Sequence, residues 1–253
     1  MRILKTIAVA FSLYSRIPMP HFPWEEEDMK HNMVFLPWIG AVIGGVSFLL
    51  YRLLSPVVPT IGMLAVLLLV PIVTTGGFHL DGFMDVQDAL SSFRSREEKL
   101  EILSDPHIGA FSVIRLAELG LIWVFGLSAL LRGEETYVSL FCVSFFLCRC
   151  FSAYLSQKLP HAKKSGMLQM ETEHAGKSDR IWLLLQAGMA LALMLTQNVL
   201  AGVLSLPALT VFALYYKKLC EKNFGGVTGD TAGFCTVCSE SVLVVLYGIL
   251  SLL

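Results

Sequence analysis

Apolar residues run through this chain in long blocks instead of alternating with charge. Asn32 to Tyr51, Leu53 to Leu80 and Ile181 to Tyr216 contain no Asp, Glu, Lys or Arg. A membrane-spanning helix needs about 20 mostly apolar residues. The last block therefore predicts two helices in a hairpin, turning near Thr196-Gln197-Asn198. The whole pattern predicts seven spans, at 33–54, 60–79, 111–131, 136–157, 181–197, 199–216 and 232–253. Pro56 and Pro59 mark the first hairpin, and Arg132-Gly-Glu-Glu135 marks the second. The expected fold is all-α: one polytopic transmembrane helical bundle covering 1–253, with about seven spans (six to eight). The apolar stretch Ile7–Tyr14 is short and lacks an Ala-x-Ala-like site. It reads as an interfacial helix or the start of the bundle, not a cleaved signal.

Composition agrees. Of 253 residues, 55% are hydrophobic and 15% charged, against about 25% charged in soluble domains. Charge placement orients the bundle. Arg2, Lys5, Arg16, Lys30, Arg94, Arg96, Lys99, Lys158, Lys163, Lys164, Lys177, Arg180, Lys217, Lys218 and Lys222 flank one set of span ends. The opposite hairpins hold Arg52 and Arg132. By the positive-inside rule the N-terminus is cytoplasmic and the C-terminus is outside. A net charge of −1 with no basic stripe excludes nucleic acid as a partner. Cys235-x-x-Cys238 has no second pair at metal-binding spacing, so the six cysteines read as free and buried. Glu25-Glu26-Glu27-Asp28 reads as a solvated acidic cluster.

The chemistry concentrates where the second span leaves the membrane. In Thr75-Gly-Gly-Phe-His-Leu-Asp-Gly-Phe-Met-Asp-Val-Gln-Asp88, the residues Asp81, Asp85 and Asp88 fall at i, i+4 and i+7. On a helix they share one face. Unpaired carboxylates repel one another unless a divalent cation sits among them, and hard oxygen ligands suit Mg²⁺ or Mn²⁺. A solvated acidic face would show the same spacing. Gly76, Gly77 and Gly82 would let a bulky substrate approach the backbone. Gly225-Gly226-Val-Thr-Gly-Asp230 precedes the last span; it can offer backbone N–H groups to phosphate and Asp230 to a metal. Ser104-Asp105-Pro-His107 precedes the third span, with Asp105 and His107 as substrate or proton-transfer candidates, or simply a helix start. Arg115, Glu118, Arg149 and Glu240 are charges inside spans, expected near their cytoplasmic ends. Structural ion pairing would also account for Glu118 and Arg149, and snorkelling for Arg115. The basic loop 159–166 offers Lys163 as a diphosphate clamp. Site segments thus lie near 76–111, 158–180 and 217–231.

Together these residues resemble the cobalamin synthase family, the adenosylcobinamide-GDP ribazoletransferases. The resemblance rests on Ser15-Arg-Ile-Pro18, Phe35-Leu-Pro-Trp-Ile-Gly40 and, above all, Gly76-Gly-Phe-His-Leu-Asp-Gly-Phe-Met-Asp-Val-Gln-Asp88. Asp105-Pro-His-Ile-Gly-Ala-Phe111, Arg149, His161–Gly166 and Gly225–Asp230 follow in family order. Ala89 stands where Gly is expected, His161 where Tyr is, and Lys163 where Arg is; Phe-Cys-Thr-Val-Cys after Gly233 is unusual. The resemblance implies an Mg²⁺-dependent enzyme of the cytoplasmic (inner) membrane, with its site facing the cytoplasm. It joins adenosylcobinamide-GDP to α-ribazole or its 5′-phosphate and releases GMP. Asp81, Asp85, Asp88 and Asp230 would hold metal. Arg149, Lys163, Gly76, Gly77, Gly225, Gly226 and Asp105 would contact substrate. Asp85 with His79 or His107 would serve the chemistry, the histidines as base candidates by residue type. Further partners would be the bilayer and a second copy or other membrane steps of the pathway. A CDP-alcohol phosphotransferase would also set aspartates one turn apart, but Asp81-Gly82 is followed by Phe83-Met84, without that class's Ala-Arg. A cation transporter would place facing carboxylates inside spans, and a structural scaffold would leave the aspartates unexplained.

Overall fold

The computed structural model describes residues 2–20, 23, 26–163 and 165–253. Glu25 of the acidic cluster and Lys164 of the basic loop lie outside the described residues. The chain begins with an amphipathic helix, α1 (Arg2–Tyr14), which buries Ala8, Val9, Ala10 and Tyr14 and exposes Ile3 and Leu4. A single turn, α2 (Glu26–Met29), and a 3₁₀ turn (Asn32–Phe35) lead into α3 (Leu36–Leu54). Then come α4 (Thr60–Thr75), α5 (Phe78–Ser91), the short α6 (Arg96–Ile102), α7 (Ala110–Leu130) and α8 (Glu135–Lys158). The last four are α9 (Met167–Glu173), α10 (Lys177–Gln197), α11 (Val199–Asn223) and α12 (Gly229–Leu250). Six helices are long and apolar enough to cross a membrane, and a seventh span arises if the bent pair α4–α5 counts as one.

That bent pair corrects the expected second span. The apolar run continues to Leu80, but the helix stops at Thr75 and α5 leaves at 93°. Gly76 and Gly77 both take left-handed backbone, φ 66° and 83°, which side chains other than glycine rarely adopt. The Arg16 side chain passes so close to Gly76 that a Cβ there has no room. Helix α5 therefore does not continue the line of α4. Two other boundaries shift: α11 continues to Asn223 and α12 begins at Gly229. The hairpin expected near residues 196–198 is present. Asn198 both ends α10 and caps α11, accepting from Ala201 N–H at 2.9 Å.

Packing follows small residues. In lipid no hydrophobic force drives helix against helix, so close backbone approach matters more. Gly40 and Gly44 of α3 press on the Phe145 and Cys142 carbonyls of α8. Gly126 of α7 and Gly248 of α12 meet in the same way. The most buried helix is α8, flanked by α3, α10 and α12. All six cysteines are free, five of them fully buried.

Charges inside the spans pair, but not as a clamp. Arg149 donates to Glu240 at 2.6 Å and to the Phe145 carbonyl at 3.0 Å, linking α8 to α12 near mid-helix. Arg115 pairs with Glu118 at 2.6 Å along α7, on a half-exposed surface.

The glycine seam gives a direct test. Gly44→Val should lower stability by about 1–3 kcal/mol, as overpacking typically does. Gly45→Ala, with nothing within 4 Å of its added Cβ, should be neutral or mildly stabilising. Thermal unfolding in detergent reads both; equal melting temperatures for the two variants would refute the seam.

Candidate active site

Helix α5 has two chemically distinct faces. His79, Gly82, Phe83, Val86 and Ala89 are buried, spaced to form one stripe. Asp81, Asp85 and Asp88 occupy the other side, as the spacing predicts. The buried stripe packs on α12 through glycines. A Cβ on Gly82 would lie 2.9 Å from Asp230 Cα, and one on Gly233 would lie 3.0 Å from the His79 carbonyl. This crossing delivers Asp230 to the aspartate helix from far along the chain.

The charges register the approach. Asp85 is pushed up to about 6, first by burial and then by the neighbouring charges of Asp81, Asp230 and Asp88. Four carboxylates thus share one locality. They do not form an all-protein cage. Among the described residues, no group of three His, Cys, Asp or Glu side chains is placed to hold one ion. Asp88 explains part of this: it caps α7, its two oxygens accepting from Gly109 N–H at 2.7 Å and Ser112 N–H at 2.9 Å. Asp81, Asp85 and Asp230 remain. That set fits an ion such as Mg²⁺, which is usually held by one or two carboxylates together with substrate phosphates.

The other segments converge at the same end of the bundle. Val227 N–H donates to the Pro160 carbonyl at 2.8 Å, and Ala162 N–H donates to Val227 at 2.9 Å. Gly226 permits this contact, since a Cβ there would lie 2.5 Å from the Pro160 oxygen, and Gly225 makes the turn at φ 80°. The glycines thus tie loop 160–166 to α12. Between them lies a hollow of about 190 Å³ lined by Lys163, Gly166, Thr228, Gly229 and Asp230. Lys163 also donates to Ser104 Oγ at 2.9 Å, joining the loop to the segment before α7. There Asp105 accepts from both His107 Nδ1 (2.7 Å) and His107 N–H (2.9 Å). His107 hydrogen-bonding holds the Asp105 carboxyl below the usual range.

Two candidates sit elsewhere. His79 is on the buried stripe, opposite the aspartates, packed between Tyr14 and Phe78 with Nδ1 unpartnered. Arg149 is buried against Glu240. Both line a cavity of about 110 Å³ between α4, α7 and α12. A charge in a bundle interior must be paired; Glu240 pairs this one, while Arg149 Nε is buried without a partner. Gly76 and Gly77 serve the bend. Sequence reading missed Glu171 of α9, buried behind the site, which accepts from Tyr14 Oη at 2.5 Å and Asn32 Nδ2 at 3.2 Å. It lies in a polar, unpatterned segment and carries no local signal.

A helical membrane bundle with clustered carboxylates and a lysine-lined hollow at one end defines a membrane enzyme of phosphate chemistry. The profile of the cobalamin-5-phosphate synthase family matches residues 6–248. An adenosylcobinamide-GDP ribazoletransferase of Lachnoclostridium phytofermentans is 36% identical over 95% of this chain and 92% of its own length. One from Clostridium perfringens is 35% identical over 97% and 98%, and one from Halalkalibacterium halodurans is 32% identical over 91% and 90%. No solved structure matches. The chain belongs to the cobalamin-5-phosphate synthase family.

Asp85 and Asp88 should respond oppositely to truncation. Because folding raises the Asp85 pKa, its protonated form favours the fold. That contribution is complete below the ordinary carboxylate range and is lost as pH rises through about 6. At neutral pH, Asp85→Asn should therefore raise the melting temperature of EDTA-treated protein. Asp88→Ala should lower stability by about 1 kcal/mol through the lost cap. Melting curves at pH 4.5 and 7.5 read both, and a stabilising effect of Asp85→Asn at pH 4.5 alone would contradict the charge assignment.

Proposed function

We propose that the protein is an adenosylcobinamide-GDP ribazoletransferase whose carboxylate face lies on the cytoplasmic side and works with Mg²⁺. It joins adenosylcobinamide-GDP to α-ribazole or its 5′-phosphate, the last assembly step of the cobalamin nucleotide loop. The convergence of Asp81, Asp85 and Asp230 beside the Lys163 hollow carries this reading. The orientation is supported by the basic residues at the site end, against Arg52 and Arg132 at the other.

A ribose hydroxyl of the acceptor attacks the phosphorus attached to cobinamide. The bond from that phosphorus to the GMP oxygen breaks, and GMP leaves with the electron pair. Such transfers depend mostly on positioning and charge neutralisation. Asp81, Asp85 and Asp230 would hold Mg²⁺, which would supply charge neutralisation for the diphosphate. Lys163 contributes a positive charge from the opposite wall of the hollow. His107 is the preferred base over His79. Asp105 engages its Nδ1, which leaves Nε2 with a lone pair for the hydroxyl proton. His79 faces the wrong way along α5.

Purified protein should release GMP from adenosylcobinamide-GDP only when acceptor and Mg²⁺ are both present. Asp85→Asn should slow the reaction on the order of 10²–10³-fold, and His107→Ala on the order of 10²-fold. Running α-ribazole and its 5′-phosphate side by side identifies the preferred acceptor. Folded protein that ignores both acceptors but releases CMP from a CDP-alcohol would overturn the reading.

A further inference from the structure

A crevice of about 690 Å³ opens between the starts of α3 and α10, lined by His31, Trp38, Asp179, Trp182 and Gln186. At its floor Asp179 is buried and accepts from His31 Nδ1 at 2.7 Å. The carboxylate can only accept, so Nδ1 carries the proton and Nε2 keeps its lone pair. No described residue bonds that nitrogen, and the imidazole is about half exposed to the crevice.

Three further features mark a built site. His31 has left-handed backbone, φ 65°, the one non-glycine residue so placed among those described. Such strain persists only where the surroundings hold it. Here Asn32 donates to Glu171 and Gln186 Nε2 donates to the Val34 carbonyl. Gln186 Oε1 is buried without a partner. The Trp38 and Trp182 indoles stand as flat walls, 46% and 57% exposed. Interfacial tryptophans commonly anchor a helix end. Anchoring leaves the strained histidine and the orphan amide oxygen unexplained.

An imidazole whose Nδ1–H is held by carboxylate is the arrangement that ligates metals through Nε2. Among the described residues no group of three His, Cys, Asp or Glu side chains is placed here to hold an ion, and the adjacent Asp179 is engaged by Nδ1. A lone imidazole suits a metal that arrives with its other ligands in place. The donor of the proposed reaction is such a molecule. A corrin ring fills the equatorial positions of its cobalt, an adenosyl group covers the upper face, and the lower face still lacks a nucleotide base.

We propose that His31 Nε2 ligates the cobalt of adenosylcobinamide-GDP on its lower face. Asp179 fixes the imidazole, Trp38 and Trp182 flank the macrocycle, and Gln186 Oε1 accepts from its peripheral amides. The proposal rests on the transferase reading. The imidazole lone pair replaces that of a water molecule, and cobalt keeps its oxidation state. The base attached by the reaction then competes for the same position, which gives product a route off His31. A run of hydrogen bonds and ring contacts leads from the residue after His31 to the start of α5. Asn32 and Tyr14 both donate to Glu171, and Tyr14 packs on Phe78 and His79 at the start of α5.

The test is electron paramagnetic resonance of full-length protein in detergent loaded with cob(II)inamide, alongside the GMP-release assay. One axial nitrogen splits each cobalt line into three. Wild type should show the triplet. Histidine labelled with ¹⁵N should convert it to a doublet, and His31→Ala should abolish it. Asp179→Asn should weaken cob(II)inamide binding about tenfold or more. In GMP release, His31→Ala should raise KM for the donor about tenfold while changing kcat far less. A wild type without nitrogen splitting, a triplet insensitive to labelling, or splitting that survives His31→Ala each overturns the inference. If GMP release is intact in that case, the transferase reading stands; if GMP release is absent, that reading fails instead.

Discussion

The crossing of α5 over α12 is the constraint on which the site depends. Gly82 meets the Asp230 backbone and Gly233 meets His79, so two helices from distant parts of the chain touch at main-chain distance. Any side chain at either glycine would push them apart and carry Asp230 away from Asp81 and Asp85. Glycine seams recur between α3 and α8 and between α7 and α12, as expected where lipid supplies no hydrophobic drive for helix association. The Arg149–Glu240 pair adds a directional tie between α8 and α12. Losing either partner would strand a charge in the bundle interior. That pair therefore helps hold α8 against the helix that carries Asp230.

Electrostatics at the site run against stability. Asp85 carries a raised pKa because partial burial, and then three like charges, disfavour its ionised form. A fold selected only for stability would remove one of these groups. Their retention beside a lysine-lined hollow and a glycine-rich helix start is the signature of a site arranged for a ligand that brings positive charge or phosphate with its own counter-ion. Asp88 separates from the set. It caps α7 and so fixes the position of the segment that carries Asp105 and His107.

The fold was legible in the chain because membrane spans announce themselves by length and lack of charge. Six helices lie where those blocks predict them. The bend after Thr75 was not legible from hydropathy, because the apolar run continues through the break. Gly76-Gly77 is the local signal, since both take left-handed backbone. The aspartate face followed directly from i, i+4, i+7 spacing. Its division of labour did not. The donors that occupy Asp88 lie 21 and 24 residues further on, and no local pattern links them. The partner of Arg149 was equally hidden, since choosing between Glu118 and Glu240 requires knowing which helices touch. His79 looked equivalent to His107 by residue type, yet its position two residues before Asp81 puts it about 200° around the helix, facing the interior.

The same reasoning explains why His31 and Asp179 escape a sequence reading. Each lies at the start of a span, where a polar residue ordinarily needs no explanation. Their meaning comes from apposition across 148 residues of chain and from a backbone angle that no composition reports. Both also sit at span starts, at the end of the bundle that carries the aspartates. A donor with a broad, partly apolar macrocycle and a highly charged diphosphate needs two unlike surfaces at once. On the proposed reading, the aromatic crevice and the carboxylate cluster at the same end of the bundle supply that pair.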